Sequence, residues 1–114
     1  MILNIERKRL EPDISVVEMR GRIVLGNDSK TVEWTLKELL DANQRKIIFD
    51  LTGVTMLDST GVGIVVMCYA KVKKSGGELR IAGANGIVDE TLRLTNVQRL
   101  IDFCPTVAEA AASF

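Results

Sequence analysis

Histidine is absent from this sequence of 114 residues. Its absence removes the commonest general base for a serine or cysteine nucleophile, and also the commonest metal ligand. A serine–lysine pair or a site built only from carboxylates remains chemically possible. Most hydrolase mechanisms are nevertheless excluded, and we expect no catalytic residue, no metal and no cofactor.

Cysteines and prolines are scarce, with two of each, and aromatic residues make up only 4% of the chain. Cys68 lies within an apolar helical pattern, and Cys104 directly precedes Pro105. These positions favour buried, reduced thiols, with a disulfide as the alternative. Reduced thiols are typical of a cytoplasmic protein.

Long hydrophobic runs are also missing. The longest uncharged stretch, Ser59 to Ala70, is far shorter than the roughly 20 residues that a membrane span requires. Residues 1–5 lead directly into the charged residues 6–9, so no signal peptide is predicted. We expect a cytoplasmic location and no interaction with a membrane.

Charge of one sign does not dominate, because 15 lysines and arginines balance 15 aspartates and glutamates. A chain with no net charge shows no electrostatic preference for nucleic acid or for an anionic membrane. Its hydrophobic content of 46% suits a globular protein. The length predicts one domain, residues 1–114, with a single core.

The order of predicted elements is a β-hairpin followed by alternating helices and strands. The turn residues Glu11-Pro12-Asp13 separate the two hairpin strands, and residues 21–27 form a loop or a short extra strand. The later predicted elements are a helix capped by Asp28 or Ser29 and ending near Asn43, a strand at 46–51, a helix at 62–72, a strand at 78–82, a helix at 86–95, a short strand within 97–103 and a helix at 105–113. This order predicts an α/β fold with a mixed sheet of four to five strands and about four helices.

Two glycine patterns resemble nucleotide-binding motifs but are incomplete. Gly21 and Gly26 have the spacing of a phosphate-binding loop, yet Asn27 replaces its lysine and Asp28 its hydroxyl residue. In the second pattern, which starts at Gly61, a valine stands where a dinucleotide-binding fingerprint has its third glycine. Neither pattern predicts nucleotide binding.

The junction at residues 58–63, Asp-Ser-Thr-Gly-Val-Gly, is the most informative segment. Asp58 or Ser59 is the predicted N-cap of the helix that follows, because a short side-chain oxygen there accepts hydrogen bonds from unpaired amides. A phosphate on Ser59 would lie at the positive end of the helix dipole, which suits a reversible switch. The simpler interpretation is that Ser59 only caps the helix, and Thr60 can share either role.

Glycine and apolar residues dominate the start of this helix. Gly61 and Gly63 each lower the stability of a helix by roughly 1 kcal/mol relative to alanine. Their presence here therefore needs a reason: either a partner approaches the backbone closely, or the turn between strand and helix is too tight for a side chain. Residues 62–68 are apolar almost all round, which predicts burial on both sides or an exposed apolar surface for a protein partner. Trp34 is predicted opposite the apolar stripe of the first helix, where covering apolar surface is favoured over a contact role.

Taken in this order, the chain resembles a STAS domain of the anti-sigma factor antagonist class over nearly its whole length. The matching features are Gly21 after the hairpin, the strand at 47–51, the Asp-Ser-Thr-Gly-Val-Gly segment at 58–63, Gly-Gly-Glu-Leu at 76–79 and Val-Ala-Glu-Ala at 107–110. The resemblance implies that a serine kinase, which is itself the anti-sigma factor, phosphorylates Ser59 and that a phosphatase reverses the reaction. It also implies that the unphosphorylated protein binds this kinase and frees a sigma factor.

The same resemblance implies a partner-binding surface around Ser59. An acidic residue just before the first helix contributes to partner binding in this class, and Asp28 is its counterpart here. The other implied contact residues are Asp58, Thr60, Gly61, Val62 and Gly63. Two further functions remain as alternatives: a structural STAS-type subunit of a lipid-transport complex, with Ser59 unphosphorylated, and a weak nucleotide hydrolase.

Overall fold

The fold begins with the β-hairpin that the turn residues predict. The computed structural model describes residues 3–114, except for the side chains of Asn27 and Asp28. Strand β1 (Asn4–Leu10) pairs antiparallel with strand β2 (Ile14–Ile23). The hairpin therefore lies where the sequence predicts it, although β2 is longer than expected.

Three further strands and four α-helices follow the hairpin within the described residues. They are α1 (Asn27–Asp41), β3 (Lys46–Leu57), α2 (Ser59–Lys74), β4 (Glu78–Ala82), α3 (Gly86–Leu94), β5 (Asp102–Cys104) and α4 (Val107–Ala112), with a 3-10 turn at Val97–Arg99 before β5. The sheet order is β1-β2-β3-β4-β5, and the pairs after β1–β2 are parallel. This mixed five-stranded sheet with four helices confirms the predicted α/β fold.

The core lies on both faces of the central strand β3. On one face, Ile47 and Phe49 are fully buried in a large cluster with apolar residues of α1, α2 and α3. On the other face, Ile48 belongs to a smaller cluster with Val16 and with Ala110 of α4. Successive strand residues point to opposite faces, so burial on both faces explains the continuous apolar run of β3.

Strands β2 and β3 both extend beyond their predicted ends. The expectation that β3 ends at residue 51 is wrong, because its second half pairs in parallel with the end of β2, up to the pair Ile23–Leu57. Residues 21–27 were expected to form a loop or a short extra strand. Residues 21–23 are strand, but they continue β2 rather than form a separate one, and the loop begins after Ile23. Pairing between distant segments thus lengthens both strands towards the start of α2.

The two helix starts next to this sheet end test the predicted N-caps. Helix α2 begins at Ser59, directly after the predicted cap Asp58, so the apolar stretch at 62–72 covers only its later part. The predicted cap of α1 by Asp28 or Ser29 is wrong: the N-cap residue is Gly26, which has a φ of 140° and no side chain to offer. The hydroxyl of Ser29 instead donates a hydrogen bond of 2.7 Å to the carbonyl oxygen of Gly26. Asp28 belongs to the first turn of α1, but its side chain is outside the described part of the structure.

The remaining sequence expectations concern single residues. Cys68 is buried, Cys104 is half-buried, and both are free thiols. Trp34 is exposed on α1, as its place opposite the apolar stripe predicts. Within residues 3–114, no helix combines the length and the apolar character needed to cross a bilayer.

Candidate functional site

Asp58 is the N-cap of α2 and joins this helix to the end of β3. Its backbone is extended, with a φ of −98°, and its Oδ1 accepts a hydrogen bond of 2.8 Å from the backbone N–H of Gly61. This satisfies one of the amides that the first turn of a helix leaves unpaired. Of the two predicted caps, the structure therefore selects Asp58.

The second carboxylate oxygen of Asp58 reaches a different part of the chain. Its Oδ2 accepts a hydrogen bond of 3.1 Å from the backbone N–H of Leu25, in the loop between β2 and α1. The amide of Gly61, followed by that of Leu25, holds the pKa of Asp58 below its ordinary value. One charged side chain thus fixes the β2–α1 loop relative to the start of α2.

Ser59 is the first residue of α2, and its side chain is exposed. Within residues 3–114, no hydrogen bond engages the Ser59 hydroxyl. The interpretation that Ser59 serves as the helix cap is therefore wrong, because the Asp58 carboxylate performs that role. Thr60, the next residue, is half-buried. Among the described residues, the Ser59 hydroxyl therefore forms no hydrogen bond that stabilises the fold, and it is accessible to solvent.

Gly61 and Gly63 have different surroundings although they are two residues apart. Gly61 is buried, and a Cβ atom placed on it would overlap the carbonyl oxygen of Ile23 and lie 3.0 Å from Cδ2 of Leu57. Gly63 is exposed, and a Cβ atom there would meet no atom within 4 Å. The tight junction between strand and helix explains Gly61, whereas the contacts within the chain do not explain Gly63.

The apolar first half of α2 is mainly core. Ile64, Val65 and Cys68 are buried, and Val62 is half-buried against the main cluster. Burial therefore accounts for most of this apolar segment. The residues of this segment that keep exposed surface are Gly63 and, in part, Val62, Val66 and Met67, of which Gly63 and Val62 are nearest to Ser59 in sequence.

Two exposed apolar residues near Asp58 were not predicted from the sequence. Leu25 is 77% exposed and Met56, two residues before Asp58, is 42% exposed. Arg22 lies opposite Met56 in the parallel pairing of β2 and β3, and its guanidinium is 3.5 Å from the Met56 sulfur. The signal available in the sequence was the apolar run Ile23-Val24-Leu25, which ends in a loop glycine.

The other predicted site residues lie on α1. Asp28 is in the first turn of α1, three residues after Leu25, and the structure does not describe its side chain. Trp34 lies further along α1. It lines a shallow surface depression together with Lys30, Lys37 and Lys71. In the part of the chain that the structure describes, no three histidine, cysteine, aspartate or glutamate side chains are grouped to hold a metal ion.

The chain is similar to known proteins over most of its length. A protein of Thermotoga maritima named "Putative anti-sigma factor antagonist" is 26% identical to this chain over 102 residues, which is 90% of each chain. The crystal structure of a Thermotoga maritima protein described in the same words superposes with a TM-score of 0.87 at 25% identity, covering 96% of this chain and 92% of the other.

A more distant likeness shows the fold alone. Bacillus SpoIIAA in its phosphorylated form has a TM-score of 0.74 at 13% identity, covering 96% of this chain and 98% of the other.

The model of the STAS domain family matches residues 7–110, which is nearly the whole chain. The protein therefore belongs to the STAS domain family.

Proposed function

We propose that this protein is an anti-sigma factor antagonist controlled by phosphorylation of Ser59. In the unphosphorylated state it binds a serine kinase that acts as the anti-sigma factor, and the sigma factor is released. Phosphorylation of Ser59 by that kinase ends the complex, and a phosphatase restores it. The protein itself is a binding module rather than an enzyme and acts in the cytoplasm, where transcription takes place.

The observation that carries the proposal is the division of roles between Asp58 and Ser59. Asp58 caps α2, while the exposed Ser59 hydroxyl has no hydrogen-bond partner within the described residues. A hydroxyl that stabilises nothing can be modified without unfolding the helix. The family match and the name of the Thermotoga maritima relative support the same role. The fold also occurs in SpoIIAA in a phosphorylated form.

The physical basis of the proposed switch is the charge of the phosphate. A phosphoserine carries about −1.5 to −2 charges at neutral pH. It would stand next to the ionised Asp58 and beside the exposed backbone of Gly63, where the partner is proposed to bind. Burying that charge at an interface without a cation is costly, and a loss of ~3 kcal/mol weakens binding more than a hundredfold.

The proposed contact residues have different roles in this scheme. Gly63 and the exposed part of Val62 would form the surface that touches the kinase. Asp58, Thr60 and Gly61 would hold that surface in place, because Asp58 accepts hydrogen bonds from the amides of Gly61 and Leu25, Gly61 packs against Ile23, and Thr60 lies between them. Asp28 retains the contact role that the family resemblance implies.

Phosphorylation by a serine kinase tests the proposal. Candidate serine kinases are incubated with the protein and ATP, and the product is mapped by mass spectrometry. We expect phosphate on Ser59, none on Thr60 and none in the Ser59→Ala variant, with the Thr60→Ala variant modified normally. Phosphate on Thr60 alone would contradict the assignment. Stable association with a lipid-transport complex whose assembly is unaffected by Ser59→Asp would favour the structural-subunit alternative.

A further inference from the structure

We propose that Leu25 is an apolar anchor of the kinase-binding surface and that Asp58 is the residue that positions it. This inference rests on the function proposed above and adds a second segment, the β2–α1 loop, to the surface around Ser59. Leu25 was not among the contact residues that the family resemblance implies, although Asp28, three residues later in the first turn of α1, was.

Leu25 combines high exposure with a fixed backbone. Its side chain is 77% exposed, yet its backbone N–H donates a hydrogen bond of 3.1 Å to the Asp58 carboxylate. The same carboxylate accepts from Gly61 in the first turn of α2. Leu25 is thus held at a defined position relative to Ser59. A loop whose backbone is already held in place loses less conformational freedom when a partner covers it.

We group Leu25 with Met56 and Arg22 as the loop patch, because Met56 lies two residues before Asp58, whose carboxylate accepts the hydrogen bond from the Leu25 amide. Met56 is 42% exposed and directly precedes Leu57 and Asp58, and Arg22 lies beside it across the strand pair. The Arg22 guanidinium is 3.5 Å from the Met56 sulfur, and no ion pair among the described side chains, which do not include that of Asp28, involves Arg22. The loop patch therefore presents two apolar side chains and one cation that has no carboxylate partner among the described side chains.

The side chains of the loop patch indicate what a complementary surface on the partner should contain. The partner should offer an apolar pocket for Leu25 with a carboxylate at its border, opposite Arg22. Apolar anchors in such pockets, surrounded by a polar rim, carry most of the energy of typical interfaces. We assign the pocket to the serine kinase because the loop patch is continuous, through Asp58, with the segment that carries Ser59.

A pair of matched leucine variants tests the assignment. Leu94, at the end of α3, is 75% exposed and so resembles Leu25 in exposure. The probe is a purified serine kinase that phosphorylates Ser59, and the dissociation constant of the unphosphorylated complex is measured by calorimetry. We expect Leu25→Ala to weaken binding by about tenfold or more and Leu94→Ala to change it by less than about twofold. Equal effects of the two variants would overturn the inference.

The positioning role of Asp58 has its own measurement. In Asp58→Asn one amide oxygen can still accept from Gly61, but the amide nitrogen cannot accept from Leu25. We expect Asp58→Asn to weaken kinase binding in the wild-type background and to have little further effect in the Leu25→Ala background. Fully additive losses would show that Asp58 does not act through Leu25 and would overturn this part.

The remaining outcomes separate this inference from the proposed function. If wild type binds the kinase, and Ser59→Asp abolishes binding while Leu25→Ala does not, the switch holds and the anchor is wrong. If Leu25→Ala instead changes the sedimentation of the protein alone, the loop patch joins two copies of this chain, and the kinase assignment is overturned. If the unphosphorylated wild-type protein does not bind the kinase, the proposed function itself is contradicted.

Discussion

The backbone of Gly61 packs directly against the carbonyl oxygen of Ile23, so that a Cβ atom on Gly61 would overlap it. Helix α2 therefore begins in contact with the end of β2, and only glycine fits at this point. The contact also brings the segment that carries Ser59 next to the β2–α1 loop. Both the position of the proposed phosphorylation site and that of the loop patch depend on it.

Alanine at Gly61 should be strongly destabilising, because Cβ cannot be accommodated without moving β2 or α2. We expect Gly61→Ala to lower the free energy of unfolding by about 1–3 kcal/mol or more, as overpacking does in well-packed sites. Urea denaturation monitored by circular dichroism measures the change. A variant as stable as wild type would show that α2 does not pack as closely as described.

Gly63→Ala is the matched control for this substitution and should have the opposite effect. A Cβ atom at Gly63 meets open space, and alanine is preferred over glycine inside a helix. We therefore expect the free energy of unfolding to rise by roughly 0.5–1 kcal/mol. Loss of stability at this position would contradict the description of Gly63 as an exposed, uncontacted residue.

The stability contributed by Asp58 should depend on pH. Amide hydrogen bonds lower the pKa of its carboxyl in the folded state, so its contribution is complete above the unfolded-state pKa of about 4. It is lost as the pH falls through the lower folded-state pKa. The difference in unfolding free energy between wild type and Asp58→Ala, about 1 kcal/mol near neutral pH, should therefore shrink in acid. Urea denaturation from pH 7 to about pH 3 tests this, and a constant difference would contradict it.

Cys68 should be chemically inert in the folded protein. Burial raises the pKa of its thiol to about 12, which leaves almost no thiolate at neutral pH. We expect iodoacetamide to modify Cys68 only after unfolding and to reach the half-buried Cys104 earlier. Peptide mapping after timed labelling distinguishes the two thiols. Early modification of Cys68 in the native protein would show that α2 opens more easily than its packing indicates.

Local sequence patterns were sufficient for the type and order of the elements. The apolar run from Ile47 and the glycine pair at 76–77 mark a buried strand and the end of a helix, and both lie where the structure has them. The Asp-Ser-Thr-Gly segment likewise identified the start of α2. These features depend on residues that are close together in the chain.

What the patterns missed depends on contacts between distant segments. The second half of β3 lacks a continuous apolar run, and it is a strand because the end of β2 pairs with it. The first two turns of α2 contain two glycines, which disfavour a helix locally, yet packing against Ile23 and capping by Asp58 stabilise the helix there. The position of the Leu25 backbone likewise depends on a hydrogen bond to Asp58, 33 residues away in the chain, which no local pattern contains.

The most direct test of the proposed switch compares authentically phosphorylated and unmodified protein. Both forms are titrated into the serine kinase by calorimetry at one salt concentration, and their melting temperatures are recorded. Because Asp58 caps α2 independently of Ser59, we expect the two forms to melt within a few degrees of each other. We expect the phosphorylated form to bind more than about a hundredfold more weakly, and Ser59→Ala to bind like the unmodified protein. Equal affinity of the two forms would contradict the proposed function.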